Sequence, residues 1–112
     1  MKFKVIPTDK FRKQAKRLVK KYASLKTELA ELGLILQENP QTGTSLGNNA
    51  FKVRLAVKSK GKGKSGGVRI ITYLVTAEAE VYLLTIYDKA EISTLNDKEI
   101  RSEINQLLGG KS

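Results

Sequence analysis

From Phe51 to Arg69 the chain reads FKVRLAVKSKGKGKSGGVR, a run with seven basic side chains and no acid. No Asp or Glu occurs anywhere from Asn39 to Ala77. Lys52 and Arg54 alternate with Phe51, Val53 and Leu55, the period of a strand, so the two cations share a face about 7 Å apart. That interval is close to the spacing of successive phosphates along a nucleic acid strand. Arg69 lies early in a second apolar run, where its planar guanidinium can grip one phosphate through two hydrogen bonds. Between these strands Lys58 is followed by Lys60, Lys62 and Lys64, the last three alternating with Gly61 and Gly63 in a segment able to bend around a ligand. The chemistry implied is the holding of a polyanion, RNA foremost. A solvated hairpin tip, with strand lysines that discourage edge pairing, has the same composition.

Two further groups carry functional side chains. Residues 1–26 hold ten basic side chains and one acid, Asp9. Lys10, Arg12, Lys13, Lys16, Arg17, Lys20 and Lys21 form the polar face of the first helical pattern. That face suits either plain solvation or a large polyanionic partner such as the ribosome. The other group follows the last apolar run: Tyr87, Asp88, Lys89, Glu91 and Ser93. Tyr87 and Lys89 are expected beside Arg69 on a neighbouring strand. Tyr73 falls on Arg69's own face, as an RNA contact or as packing, while Tyr82 reads as core. Asp88 and Glu91 read as hydrogen-bonding or surface groups.

What the chain lacks narrows the chemistry further. With no cysteine there is no disulfide framework or thiolate metal site, and with no histidine the usual neutral-pH base is missing. No cofactor, metal or small-molecule ligand is therefore expected. If RNA is cut, its own 2′-OH is the nucleophile beside each phosphate. Arg54 and Arg69, charged at every cellular pH, would meet the charge of the transition state. A lysine crowded by other cations titrates low and can take a proton, which makes Lys64 and Lys89 candidate bases.

The elements that must position these groups follow from periodicity. At 112 residues the chain fits one domain, 1–112, with a formal net charge of +10. Lys2–Ile6 reads as a short strand, ended by Pro7. Thr8 caps a helix over Asp9–Tyr22 with Phe11, Ala15, Leu18, Val19 and Tyr22 on its apolar face. Ser24 opens a second helix striped by Leu25, Leu29, Leu32 and Leu36, stopped at Asn39–Pro40. Gln41–Ala50 reads as loop. Phe51–Val57, Val68–Val75 and Val81–Tyr87 are strands. Asn96 opens a last helix, with Glu99 as its capping-box partner and Ile100, Ile104, Leu107 and Leu108 as its stripe. The order β-α-α-β-β-β-α implies an α+β fold: a mostly antiparallel sheet with helices packed on one face. The opening MKFKVIPTDK has no signal-peptide pattern and no apolar run is long enough for a bilayer, so a cytoplasmic location without membrane contact is expected.

KRLVKKYAS from Lys16, KVRLAVKSKGKGKSGGVRIITY from Lys52 and VYLLTIYDKAE from Val81 together resemble the RelE/ParE superfamily of toxins, closest to the HigB-like mRNA interferases. The resemblance implies a small RelE-like domain that enters the ribosomal A site, cuts translated mRNA, and is blocked by a cognate antitoxin, acidic on charge grounds. By position, Lys52 and Arg54 match the family's basic pair, Arg69 its scissile-phosphate arginine, and Lys89 the cation after the last strand. Tyr87 is the candidate for the family's late tyrosine. Arg54, Arg69, Lys89, Tyr87 and Lys64 are thus expected to be catalytic, with Lys52, Lys58, Lys60, Lys62 and Tyr73 binding RNA. Arg12, Lys13, Lys16, Arg17 and Lys20 are expected to meet the ribosome. Two other readings stay open: a ParE-like toxin acting on gyrase without catalysis, and an inactive RNA-binding module.

Overall fold

The computed structural model describes residues 2–61, 66–92 and 96–109. Strand β1 (Lys4–Pro7) leads into helix α1 (Asp9–Lys21) and helix α2 (Leu25–Glu38). Strands β2 (Thr44–Gly47), β3 (Ala50–Leu55), β4 (Val68–Val75) and β5 (Glu80–Asp88) follow, and helix α3 (Asp97–Gly109) closes the chain. The sheet order is β1-β5-β4-β3-β2, antiparallel throughout except for the parallel β1–β5 pair.

Local chemistry sets the starts of α1 and α3 as the sequence implies, whereas Ser24 before α2 makes no side-chain capping bond and its hydroxyl donates to Glu28. Thr8 caps α1, its hydroxyl accepting from the Phe11 N–H at 3.2 Å and donating to the Leu83 carbonyl at 3.0 Å. Asn96 and Glu99 form the capping box of α3, with the Glu99 N–H 2.8 Å from the Asn96 side-chain oxygen. The segment expected to be loop contains a strand. Thr44–Gly47 pairs with β3 across a turn at Asn48 and Asn49, whose φ values of 52° and 65° lie in the left-handed region that asparagine tolerates. The exposed, polar side chains of Thr44 and Ser45 gave no apolar alternation to mark it.

Both faces of the sheet are covered. Phe11, Leu18, Leu25, Leu32 and Leu36 of α1 and α2 pack with Val53, Val68, Ile70, Leu74, Val81 and Ile86. A second cluster joins Ile100 and Ile104 of α3 to Ala50, Ile71 and Leu84, with Tyr73, Tyr82 and Leu107 against it. Adjacent Ile70 and Ile71 belong to different clusters, as do Leu83 and Leu84, and successive strand residues face opposite ways. The one-face arrangement thus holds for α1 and α2, while α3 lies on the other face. Strands apolar on both sides require that second cover.

One irregularity matters for everything beyond it. Ile71 pairs with Thr85 but Thr72 pairs with Leu83, so β5 carries an extra residue at Leu84. Gln14 of α1 satisfies the disturbed ladder. Its side-chain oxygen accepts from the Thr85 hydroxyl at 2.8 Å and from the Ile86 N–H at 3.1 Å.

Close approach of backbone fixes the entry to β4. A Cβ on Gly67 would lie 2.0 Å from the Leu55 carbonyl oxygen. Gly67→Ala should therefore force β3 and β4 apart, costing on the order of 2 kcal/mol and lowering Tm by roughly 10 °C in thermal unfolding followed by circular dichroism. An unchanged Tm would contradict this packing.

Candidate functional site

Register brings three of the expected residues into one row across the sheet. Arg54 pairs with Arg69, and Arg69 with Tyr87. Lys52 stands in the next row, opposite Ile71. Alternation puts all four on the face that α3 covers only in part, because Ala50 and Ile71, on the same face, are the residues that meet α3. The Leu84 bulge is decisive here. It sends Ile86 and Asp88 toward the helical face and Tyr87 toward the arginines; an unbulged strand would exchange them.

The row is graded in exposure. Arg54 is exposed, and its guanidinium donates to the Thr44 hydroxyl at 3.1 Å. Arg69 is only 4% exposed, its guanidinium 3.4 Å from its neighbour's carbonyl at Val68. Tyr87 is 2% exposed, and among the described residues its buried hydroxyl has no hydrogen-bond partner. Burial lowers the pKa of Lys52, and the nearby charges of Arg54 and Arg69 lower it further. Burial likewise lowers Arg69, with Arg54 adding to the effect and Tyr87 opposing it. Cations held this close create a positive potential that an anion would relieve.

Other expected site residues lie elsewhere. Lys60 turns away from the row, its side chain 7% exposed, with its ammonium 2.5 Å from the Asp88 carboxylate and 4.9 Å from the centre of the Tyr22 ring. A buried carboxylate and an aromatic face outcompete solvent for that cation. Tyr73 packs in the cluster under α3 beside Tyr82, so the apolar ring is absorbed by the core. Lys58 is exposed in the short 3-10 turn that follows β3. Lys89 is half-buried, and its N–H donates to the Gly67 carbonyl at 3.1 Å, at the entry to β4. Lys62, Lys64 and Ser93 lie outside the described residues. Arg12, Lys13, Lys16, Arg17 and Lys20 are exposed on α1, on the far side of the sheet from Arg69. Arg17 grips Glu91 with two hydrogen bonds of 2.7 and 3.2 Å.

Asp88, expected as a hydrogen-bonding or surface group, is hydrogen-bonded and wholly buried. Its carboxylate accepts from the Tyr22 hydroxyl at 2.5 Å, from Lys60 at 2.5 Å and from the Ala90 N–H at 2.9 Å. Burial alone would raise its pKa, but the hydrogen bonds from Lys60, Tyr22 and Ala90 outweigh it and hold the group at about 2. Gln14 and Glu28 were also passed over, both polar residues turned inward from the helices.

No protein-family model matches the chain. Among solved structures it is similar to the E. coli toxin RelE, determined in the free state as a mutant with two arginines replaced by alanine. The TM-score is 0.59 at 14% identity, covering 96% of this chain and 99% of that one. Likeness at that identity establishes the fold, and the α+β architecture described above is RelE-like.

The Asp88 pKa carries a pH dependence whose sign is fixed. A carboxyl at about 2 in the folded state, against an ordinary 3.8, contributes stability above pH ~4 that is lost as pH falls toward ~2. The shift corresponds to about 2 kcal/mol. Urea unfolding between pH 6 and pH 2 should therefore show a shallower acid loss for Asp88→Asn than for the parent, by roughly that amount. Parallel curves would contradict it.

Proposed function

We propose that this RelE-fold chain is the toxin of a type II toxin–antitoxin pair, an endoribonuclease that cuts translated mRNA in the ribosomal A site. The observation that supports it most is the in-register row Arg54–Arg69–Tyr87, with Lys52 beside it, on a sheet face left partly open. A phosphate seated there meets the exposed Arg54 guanidinium and, once binding uncovers the row, the Arg69 guanidinium that is buried in the free protein; together they stabilise the added charge of a pentacoordinate transition state. The adjacent 2′-OH attacks phosphorus. Its proton goes to Lys52, the lysine in the adjoining row whose pKa burial and two arginines depress. The O2′–P bond forms as the P–O5′ bond breaks, and the leaving oxygen takes a proton from the Tyr87 hydroxyl, which is buried in the free protein and is uncovered when message binds. No metal ion enters this scheme. Lys89, at the turn after the row, steadies the neighbouring phosphate, and Lys58, Lys62 and Lys64 add cations in the stretch of sequence between β3 and β4.

The chain has no histidine to drive the proton transfers, so orientation by the ribosome supplies much of the rate. The exposed cations Arg12, Lys13, Lys16 and Lys20 on α1 suit contact with ribosomal RNA across the opposite surface. A net charge of +10 favours fast, salt-sensitive capture by an acidic antitoxin segment in the cytoplasm, where ribosomes lie.

Translation in a purified system followed by primer extension on the message tests this. Cuts should appear only in translated regions. Arg69→Lys, which keeps the charge and loses the fork, should lower the cutting rate about 100-fold. Arrested growth with intact message, or inhibition of gyrase supercoiling without any cut, would replace this reading with a non-catalytic one.

A further inference from the structure

A buried ionic cluster on the helical side of the sheet takes no part in that chemistry, yet it joins three segments distant in sequence. These are the end of α1, the 3-10 turn Lys58–Lys60 that follows β3, and the end of β5. Asp88 is its centre, receiving Tyr22 and Lys60 as described, with the Lys21 ammonium 3.6 Å away. Lys21 also reaches Glu91 at 3.1 Å, beside the Arg17 pair. A second buried carboxylate holds the same turn by its backbone. Glu28 accepts from the Lys58 N–H at 2.8 Å and from the Ser24 hydroxyl at 3.1 Å, and that hydroxyl accepts from the Ser59 N–H at 3.0 Å.

Residues 58–60 are thus fastened by main chain and side chain at the start of the lysine–glycine segment. The end of that segment is fastened as well, through the Gly67 carbonyl and the Lys89 N–H. At each end one fastening runs to the close of β5, through Asp88 at the start of the segment and its neighbour Lys89 at the finish. Strand alternation adds the connection to the site: with Asp88 held inward, Tyr87 must face outward toward Arg69. A buried ion pair contributes little net stability over an apolar replacement, so stability alone does not account for this placement.

We infer that Asp88, with Lys60 and Tyr22, is a positioning cluster: it fixes Tyr87 beside Arg69 and sets both ends of the lysine–glycine segment, without touching RNA. The inference rests on the reading of the Arg54–Arg69–Tyr87 row as an RNA-cutting site. Single-turnover cutting of message on purified ribosomes tests it with Lys60→Met and Tyr22→Phe, each checked for a folded state by circular dichroism. Lys60→Met should lower the rate constant at saturating protein by about 100-fold, since displacement of a reacting group by an ångström is enough. Tyr22→Phe keeps the ring and loses one hydrogen bond; it covers the case in which Lys60→Met does not fold, and should cost about 3- to 10-fold. The half-saturating ribosome concentration should stay within about twofold, because binding groups are untouched.

Wild-type rate constants in folded Tyr22→Phe would overturn the positioning role. Nuclear magnetic resonance of the free protein separates that failure from failure of the function itself. The Tyr87 ring and Lys89 amide signals should shift in Tyr22→Phe whether or not the wild type cuts RNA. Signals coincident with those of the wild type overturn the inference on their own. A wild type that leaves translated message intact overturns the cutting site and leaves the shifts to decide the positioning.

Discussion

Strand β5 carries one residue more than β4 can match, and the parity of every side chain after Leu84 follows from that insertion. Before the bulge, Val81 and Leu83 face the two-helix core while Tyr82 and Leu84 face α3. After it, Ile86 and Asp88 face the helices and Tyr87 faces the arginines. A bulge disturbs ladder hydrogen bonds and needs a partner to hold it. Gln14 supplies one from α1, so a helix on one face of the sheet fixes which residue appears on the other. The same parity buries Asp88 beside Tyr22 and Lys60, where its ionised form is held by three hydrogen bonds.

Charge is divided by the sheet. The exposed lysines and arginines of α1 beyond Lys10, which reaches Glu103 of α3, stand on one side, solvated or paired with Asp9, Asp88 or Glu91. Lys52, Arg54 and Arg69 stand on the other, where Arg54 adds to the lowering of Lys52 and Arg69. Cations in water gain little from a partner, whereas cations drawn together and partly buried gain much from an incoming anion. That difference separates a general polyanion surface from a site able to stabilise charge as it develops. Burial and the two arginines likewise favour the neutral amine of Lys52.

Much of this was legible in the residues themselves. Period-two alternation around Lys52 and Arg54 gave their shared face, and Arg69 fell into register with Arg54 because the two strands form neighbours in an antiparallel pair. Other features left a signal that was passed over. Gln14 sits among Phe11, Ala15 and Leu18, and Glu28 among Leu25, Leu29 and Leu32, at helical spacing within apolar stripes. A polar residue in such a stripe must find a partner indoors, and both find backbone N–H groups. The adjacent pairs Ile70–Ile71 and Leu83–Leu84 likewise imply cover on both faces, and so a place for α3 opposite α1 and α2. The bulge and the inward turn of Lys60 had no such signal. Each depends on pairing across segments far apart in sequence, which local periodicity does not encode.

The central claim is that two arginines, a lysine and a tyrosine direct a 2′-OH of RNA against its own phosphate. The ends of the cut message report that chemistry most directly, because attack by the 2′-OH and attack by water leave different groups. Fragments from a translation reaction would be ligated to adaptors with and without prior kinase treatment. The account predicts downstream fragments bearing a 5′-hydroxyl, joined only after the kinase step, and upstream fragments ending in a cyclic phosphate. Downstream fragments with a 5′-phosphate would mean that water, not the RNA, was the nucleophile, and would contradict it.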